Sequence, residues 1–214
     1  IMKITNPLDG IFNNETKIKI LRFLFRTNAE WNGRQIARQI KVTPATTHKA
    51  LQDLHKEGVL ILHNIGKTHV YILNKSNFAV TDILKPLFEK ENKILSHILG
   101  IVRKKISASK IRKHIKSVAL FGSVSYKKDR STSDIDLVVI IDNIKFEPKT
   151  ELLFEEIDRK ISKDFGNIVS PYIQTEKSFN DNYRRGLALI KNIMKSQKFI
   201  YGSRLETIIW PRKN

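Results

Sequence analysis

The chain has 214 residues, no cysteine, and 39 Lys and Arg against 21 Asp and Glu, for a formal net charge of +18 at pH 7. Disulfides and thiolate metal sites are excluded. With no run of about 18 apolar residues and no leader-like N-terminus, a soluble, unexported, cytoplasmic protein without a membrane partner is expected. The positive surplus attracts phosphate polymers, which makes nucleic acid the leading partner class. It is spread along the chain, with 12 basic and 5 acidic residues over 1–77, 9 and 3 over 78–115, and 18 and 13 over 116–214.

In chain order, Ile18, Leu21, Phe23, Leu24 and Phe25 recur near helical spacing behind Asn14, an N-cap type, and predict a helix over about 14–27. After a break at Trp31-Asn32-Gly33, Ile36, Ala37 and Ile40 mark a short second helix. Val42-Thr43-Pro44 then supplies an apolar staple, a capping hydroxyl and a proline at the first helical position, where its missing donor does no harm. The third helix runs over about 44–57, with Leu51 and Leu54 inward and Gly58 closing it. Val59-Leu60-Ile61-Leu62, a turn at Asn64-Ile65-Gly66-Lys67, and Val70-Tyr71-Ile72-Leu73 have the pattern of a β-hairpin. Three helices and a hairpin make a winged helix.

Residues 36–74 resemble the winged-helix regulators of prokaryotes. The resemblance implies that the third helix enters the major groove of double-stranded DNA with Thr46, Thr47, His48, Lys49 and Gln52 outward. It also implies that Lys67, Thr68 and His69 on the wing meet the backbone or minor groove, that Arg34 and Arg38 on the second helix clamp phosphates, and that a homodimer reads two half-sites. His48, His55, His63 and His69 lack metal-ligand spacing and read as surface or hydrogen-bonded histidines.

Residues 78–115 read as a helical connector. Pro86 should kink or restart its first helix, and Ile94, Leu95, Ile98, Leu99, Ile101 and Val102 predict an amphipathic helix over about 89–106 that ends in the basic run Arg103-Lys104-Lys105.

Residues 116–214 carry the chemistry. Ser117-Val118-Ala119-Leu120-Phe121 is a short apolar strand that stops at Gly122-Ser123, where glycine permits close backbone approach and the hydroxyl and nearby amides suit phosphate oxygens. Ten residues on comes Ser133-Asp134-Ile135-Asp136 followed by Leu137-Val138-Val139-Ile140-Ile141, and strand alternation puts Asp134 and Asp136 on one face. Paired carboxylates in so basic a chain call for a cation, and Mg2+ with oxygen ligands and substrate phosphates is the natural choice. Lys127, Lys128 and Arg130 in the spacer are candidate phosphate contacts. Beyond it, a helix is expected over 150–163, a strand over 167–173, and a helix over about 178–197 carrying Arg184, Arg185, Lys191, Lys195 and Lys198.

Residues 118–141 look like the signature of the DNA polymerase beta-type nucleotidyltransferases, in particular their minimal prokaryotic members. The class implied for the chain is α+β, with a winged helix-turn-helix over 1–77, a helical connector over 78–115, and over 116–214 a polymerase beta-like mixed sheet flanked by helices, closing at Phe199-Ile200-Tyr201-Gly202. By position, Gly122, Ser123 and Ser133 would contact the nucleotide, and Asp134 and Asp136 would be catalytic and bind Mg2+. Two departures stand out. Active members take a third carboxylate from a later strand, whereas 167–173 has no acid; Ser170 falls in that place and Glu176 is the next carboxylate along. The small-Ala-Arg-Gly stretch that follows Gly-Ser in the family is Val124-Ser125-Tyr126-Lys127 here.

Two readings follow. One is a Mg2+-dependent transfer of a nucleoside monophosphate from an NTP, ATP first among them, to a nucleic-acid or protein acceptor, such as the cognate toxin of an antitoxin-like protein. The other is a transcriptional regulator that senses a nucleotide without reacting it.

Overall fold

The computed structural model describes residues 4–66, 68–126, 130 and 133–209; Lys67, Lys127 and Lys128, named above, lie outside the described residues. The chain divides into two compact units, Ile1–Ile94 and Leu95–Asn214, so the stretch read as a connector is shared between them.

The first unit contains α1 (Asp9–Phe12), α2 (Glu15–Thr27), β1 (Trp31–Asn32), α3 (Gly33–Ile40), α4 (Pro44–Lys56), β2 (Leu60–Ile65) and β3 (Thr68–Leu73). Its helix starts are specified locally. The Asn14 side chain accepts the Thr16 N–H at 2.7 Å, and Asn32 and Gln35 cap each other reciprocally at the head of α3. Thr43 accepts the Thr46 N–H just before Pro44 opens α4. Lys41, in the left-handed conformation at φ 56°, turns the chain between α3 and α4. Trp31 and Asn32, expected as a break, instead pair with Tyr71 and Val70, giving a three-stranded sheet of order β1-β3-β2. Ile20, Leu21, Leu24, Ile36, Leu51, Leu54, Tyr71 and Leu73 form the buried core.

A π-helical turn, Ala79–Leu84, leads into α5 (Lys85–Ala108). Pro86 has no N–H for the Asp82 carbonyl and its ring crowds that oxygen, and the wider turn just upstream accommodates both effects. Phe88 of α5 joins the core of the first unit, and Ile98, Val102 and Ile106 join that of the second.

The second unit continues with β4 (Ile115–Leu120), α6 (Gly122–Ser125), β5 (Ile135–Ile141), α7 (Glu147–Phe165), β6 (Val169–Thr175), α8 (Glu176–Arg184), α9 (Ala188–Ser196), β7 (Lys198–Gly202) and α10 (Leu205–Ile208). Its mixed sheet has the order β6-β5-β4-β7, with β5 and β6 parallel and the other pairs antiparallel. One face packs Val118, Leu120, Leu137 and Val139 against Phe154, Ile157 and Ile161 of α7. The other packs Ala119, Val138 and Ile140 against Phe179, Ile190, Ile193 and Leu205. Burial on both faces explains why Leu137 to Ile141 is apolar without alternation. The single helix expected over 178–197 is two helices, because Gly186 at φ 71° breaks the chain between α8 and α9.

Candidate nucleotide site and nucleic-acid interface

The end of β4 and the start of β5 lie side by side. Leu120 pairs with Leu137, and one step further the Phe121 N–H donates to the Asp136 carbonyl at 2.9 Å. Gly122 then turns at φ 74°, and a Cβ at this position would overlap the Asp136 carboxylate and stand 3.0 Å from its Cγ. Only glycine meets both demands, a left-handed backbone and direct contact with the acid. Ser125 closes the α6 turn by donating its hydroxyl to the Gly122 carbonyl at 2.7 Å, and Ser123 is half-buried beside it.

Asp134 is exposed and Asp136 half-buried at the mouth of the sheet. Burial, with the Asp134 charge as the smaller cause, raises the Asp136 carboxyl above its ordinary pKa. A bound cation would relieve both causes, so the pair fits one hard divalent ion whose remaining ligands come from water and phosphate. Ser133 stands at the mouth as well, but its hydroxyl already accepts the Arg130 N–H at 2.9 Å while its own N–H donates to the Arg130 carbonyl at 2.9 Å, so it shapes the loop that delivers Asp134.

The third acidic position can now be placed. Parallel pairing of β5 and β6 sets Ser170 opposite Asp136, and Ser170 is exposed. Glu176 cannot replace it. Thr175, just before it, pairs with Ile141, so Glu176 lies at the far end of the sheet, roughly 20 Å from Asp136 at the rise of a strand. Among the described residues, no group of three or more His, Asp or Glu could hold a metal ion.

Lys198, grouped by sequence with the helical cations, instead opens β7 opposite Leu120, at the Gly122 end of the sheet. Its partner Leu120 and its near neighbour Ile200 both face α7, so Lys198 lies on the side of the sheet away from Asp136, which shares the side of Val138. The apolar run Phe199-Ile200-Tyr201 was the signal for a strand beginning at or just before it.

In the first unit, Arg34, Arg38, Thr46, His48, Lys49, Gln52 and His69 are exposed. Arg34, Pro44, His48, Thr68, His69 and Tyr71 line part of a cavity of about 540 Å3 between α3, α4 and the wing. Thr46 spends its hydroxyl on Thr43 Oγ1 at 2.8 Å. Thr47 is a correction. It is fully buried and its hydroxyl has no partner among the described residues, because positions 47, 50, 51 and 54 form the inward stripe of α4. It is therefore removed from the DNA-facing set. His55 Nδ1 lies 2.9 Å from the Leu60 carbonyl, His63 pairs with Glu30, and His69 pairs with Asn64 across the hairpin.

Residues 104–206 match the family model described as Polymerase beta, Nucleotidyltransferase, and residues 13–61 match the one described as Winged helix-turn-helix DNA-binding. The chain thus joins a winged helix-turn-helix domain to a polymerase beta-type nucleotidyltransferase domain in an α+β layout. No curated protein matches it. Among solved structures, HlyU from Vibrio cholerae is similar at 17% identity and a TM-score of 0.33, over 41% of this chain and 82% of that one. The homodimeric winged helix-turn-helix domain of Mb0332 from Mycobacterium bovis is similar at 19% and 0.35, over 42% and 80%. A toxin-antitoxin structure with AMP-PNP is similar at 16% and 0.32, over 50% and 76%. No described helix is long and apolar enough to cross a membrane.

Proposed function

We propose that this chain is a DNA-binding regulator whose nucleotidyltransferase-type domain binds an NTP together with Mg2+, with ATP the first candidate, and does so with little or no turnover. The observation that carries the reading is the register of β5 and β6. It sets Ser170 opposite Asp136, where the family resemblance implies a third carboxylate, while the turn that follows β4 brings Gly122 against Asp136. Asp134 and Asp136 would hold the ion, and Gly122 and Ser123 would receive phosphate oxygens against the backbone. The ion would neutralise and orient the triphosphate. With Ser170 in place of an acid, the described residues would offer no third carboxylate beside Asp136 to deprotonate an incoming hydroxyl.

In the first unit, His48, Lys49 and Gln52 would face the major groove, Arg34 and Arg38 the phosphates, and His69 the backbone beside the wing. A homodimer reading two half-sites is part of the proposal.

Nucleotidyl transfer to a protein or nucleic-acid acceptor is the second reading, favoured by the intact Gly-Ser and Asp-x-Asp geometry. Incubation with labelled NTPs and Mg2+, wild type beside Asp134→Ala/Asp136→Ala, separates the two. Mg2+-dependent NTP binding by calorimetry without label transfer supports the regulator. Label transfer that is lost in the double variant replaces it with the transferase, and the absence of NTP binding overturns both.

A further inference from the structure

We infer that the second unit carries its own polyphosphate-binding surface, formed by Arg103, Lys104, Lys110, Arg112 and Lys113 at and beyond the end of α5, and that its ligand is the backbone of the duplex bound by the winged helix. Residues 92–128 hold ten Lys or Arg and no Asp or Glu. A winged helix does not account for this surplus, since the charge lies outside residues 13–61, where that model matches.

All five side chains are exposed, and none makes an ion pair among the described residues. Their neighbours Lys105 and Lys116 do, with Glu156 at 3.8 Å and Asp142 at 3.9 Å. Two of the five are held in place by the backbone. Arg103 Nε donates to the Ile200 carbonyl at 3.0 Å and Arg112 Nη1 to the Ser107 carbonyl at 3.2 Å. Each keeps its other N–H donors and has lost part of the rotamer freedom that phosphate binding would otherwise cost.

Helix-end electrostatics explain only part of the cluster. Cations favour a helix C-terminus within its last turn, but α5 ends at Ala108, and Lys110, Arg112 and Lys113 lie past it. The nucleotide site does not explain it either. The patch adjoins the Ile115 end of β4 and Gly122 follows the other end, about 20 Å apart at the rise of a strand, too far for one triphosphate to bridge. A polymer with a charge every few ångströms fits an extended patch of unpaired cations, and its affinity falls with salt in proportion to the phosphates neutralised.

The inference rests on DNA binding by the first unit. Binding of the full chain to a duplex is measured across about 50 to 200 mM salt, where log K falls by about 0.9 per phosphate neutralised for each decade of salt. Lys104→Glu/Arg112→Glu/Lys113→Glu is compared with Lys149→Glu/Arg159→Glu/Lys163→Glu, an equal charge change on α7. The patch variant is expected to lower the slope by roughly 2–3, and the α7 variant to leave it near wild type, with both melting as wild type does. Equal slopes in patch variant and wild type, or equal losses in both variants, overturn the inference. An unchanged DNA slope with weakened binding of a single-stranded RNA gives the patch to RNA and likewise overturns it. A wild type that binds no duplex sinks the DNA reading itself.

Discussion

Replacing Gly122 by alanine would set a methyl group on the Asp136 carboxylate while forcing a Cβ residue to φ 74°. A cost of about 1–2 kcal/mol is expected in thermal melts, together with loss of NTP binding by calorimetry, because the acid would have to move. Asp136 itself opposes folding at neutral pH. A carboxyl whose pKa is raised in the fold binds its proton more tightly there than in the unfolded chain, so stability falls as pH rises from the ordinary carboxylate range through the raised one. Asp136→Asn should therefore raise the melting temperature at neutral pH, flatten its dependence on pH and abolish Mg2+-dependent NTP binding; a lower neutral-pH melting temperature would contradict this account. Ser170→Asp tests the missing acid directly. With a carboxylate in register with Asp136, the variant should bind Mg2+ more tightly and transfer label from NTP faster than wild type.

At the scale of the element, α4 separates two duties. Its outward side carries His48, Lys49 and Gln52, and its inward stripe carries Thr47, Ala50, Leu51 and Leu54. Thr47→Val replaces an unpartnered buried hydroxyl with a methyl group of similar shape, so stability should hold or rise and DNA affinity in a gel-shift titration should not change. Lys49→Ala should do the reverse, leaving the melt unchanged and weakening DNA binding. Both faces were legible in periodicity, since 47 stands four residues before Leu51 and seven before Leu54. Thr47 was misplaced because a polar residue type was read in place of its position. The break between α8 and α9 was written in Gly186 but outweighed by apolar spacing on either side, and β1 had no local signal because its two residues become a strand only by pairing with β3.

For the molecule as a whole, a net charge of +18 predicts salt-sensitive duplex binding. If six or more phosphates are neutralised, affinity should fall by about a thousandfold or more between 50 and 200 mM salt, whereas a fall of only a few-fold would mean that most of the surplus never meets DNA. The two-unit plan was open to reading from the chain alone because its determinants are local: caps at Asn14, Asn32 and Thr43, a proline at the first turn of α4, a hairpin turn, and an apolar run behind Asp-x-Asp. So were Gly122, Ser123, Asp134 and Asp136, since one strand's alternation and a ten-residue spacer place them without reference to the rest of the fold. Contacts distant in sequence were not. That Ser170 faces Asp136, that Glu176 lies at the far end of the sheet, and that Lys198 opens β7 opposite Leu120 depend on the register of β5 with β6 and of β4 with β7. The packing of α7, α8 and α9 on the two sheet faces sets that register, and a shift of one residue would turn every one of those side chains to the opposite face.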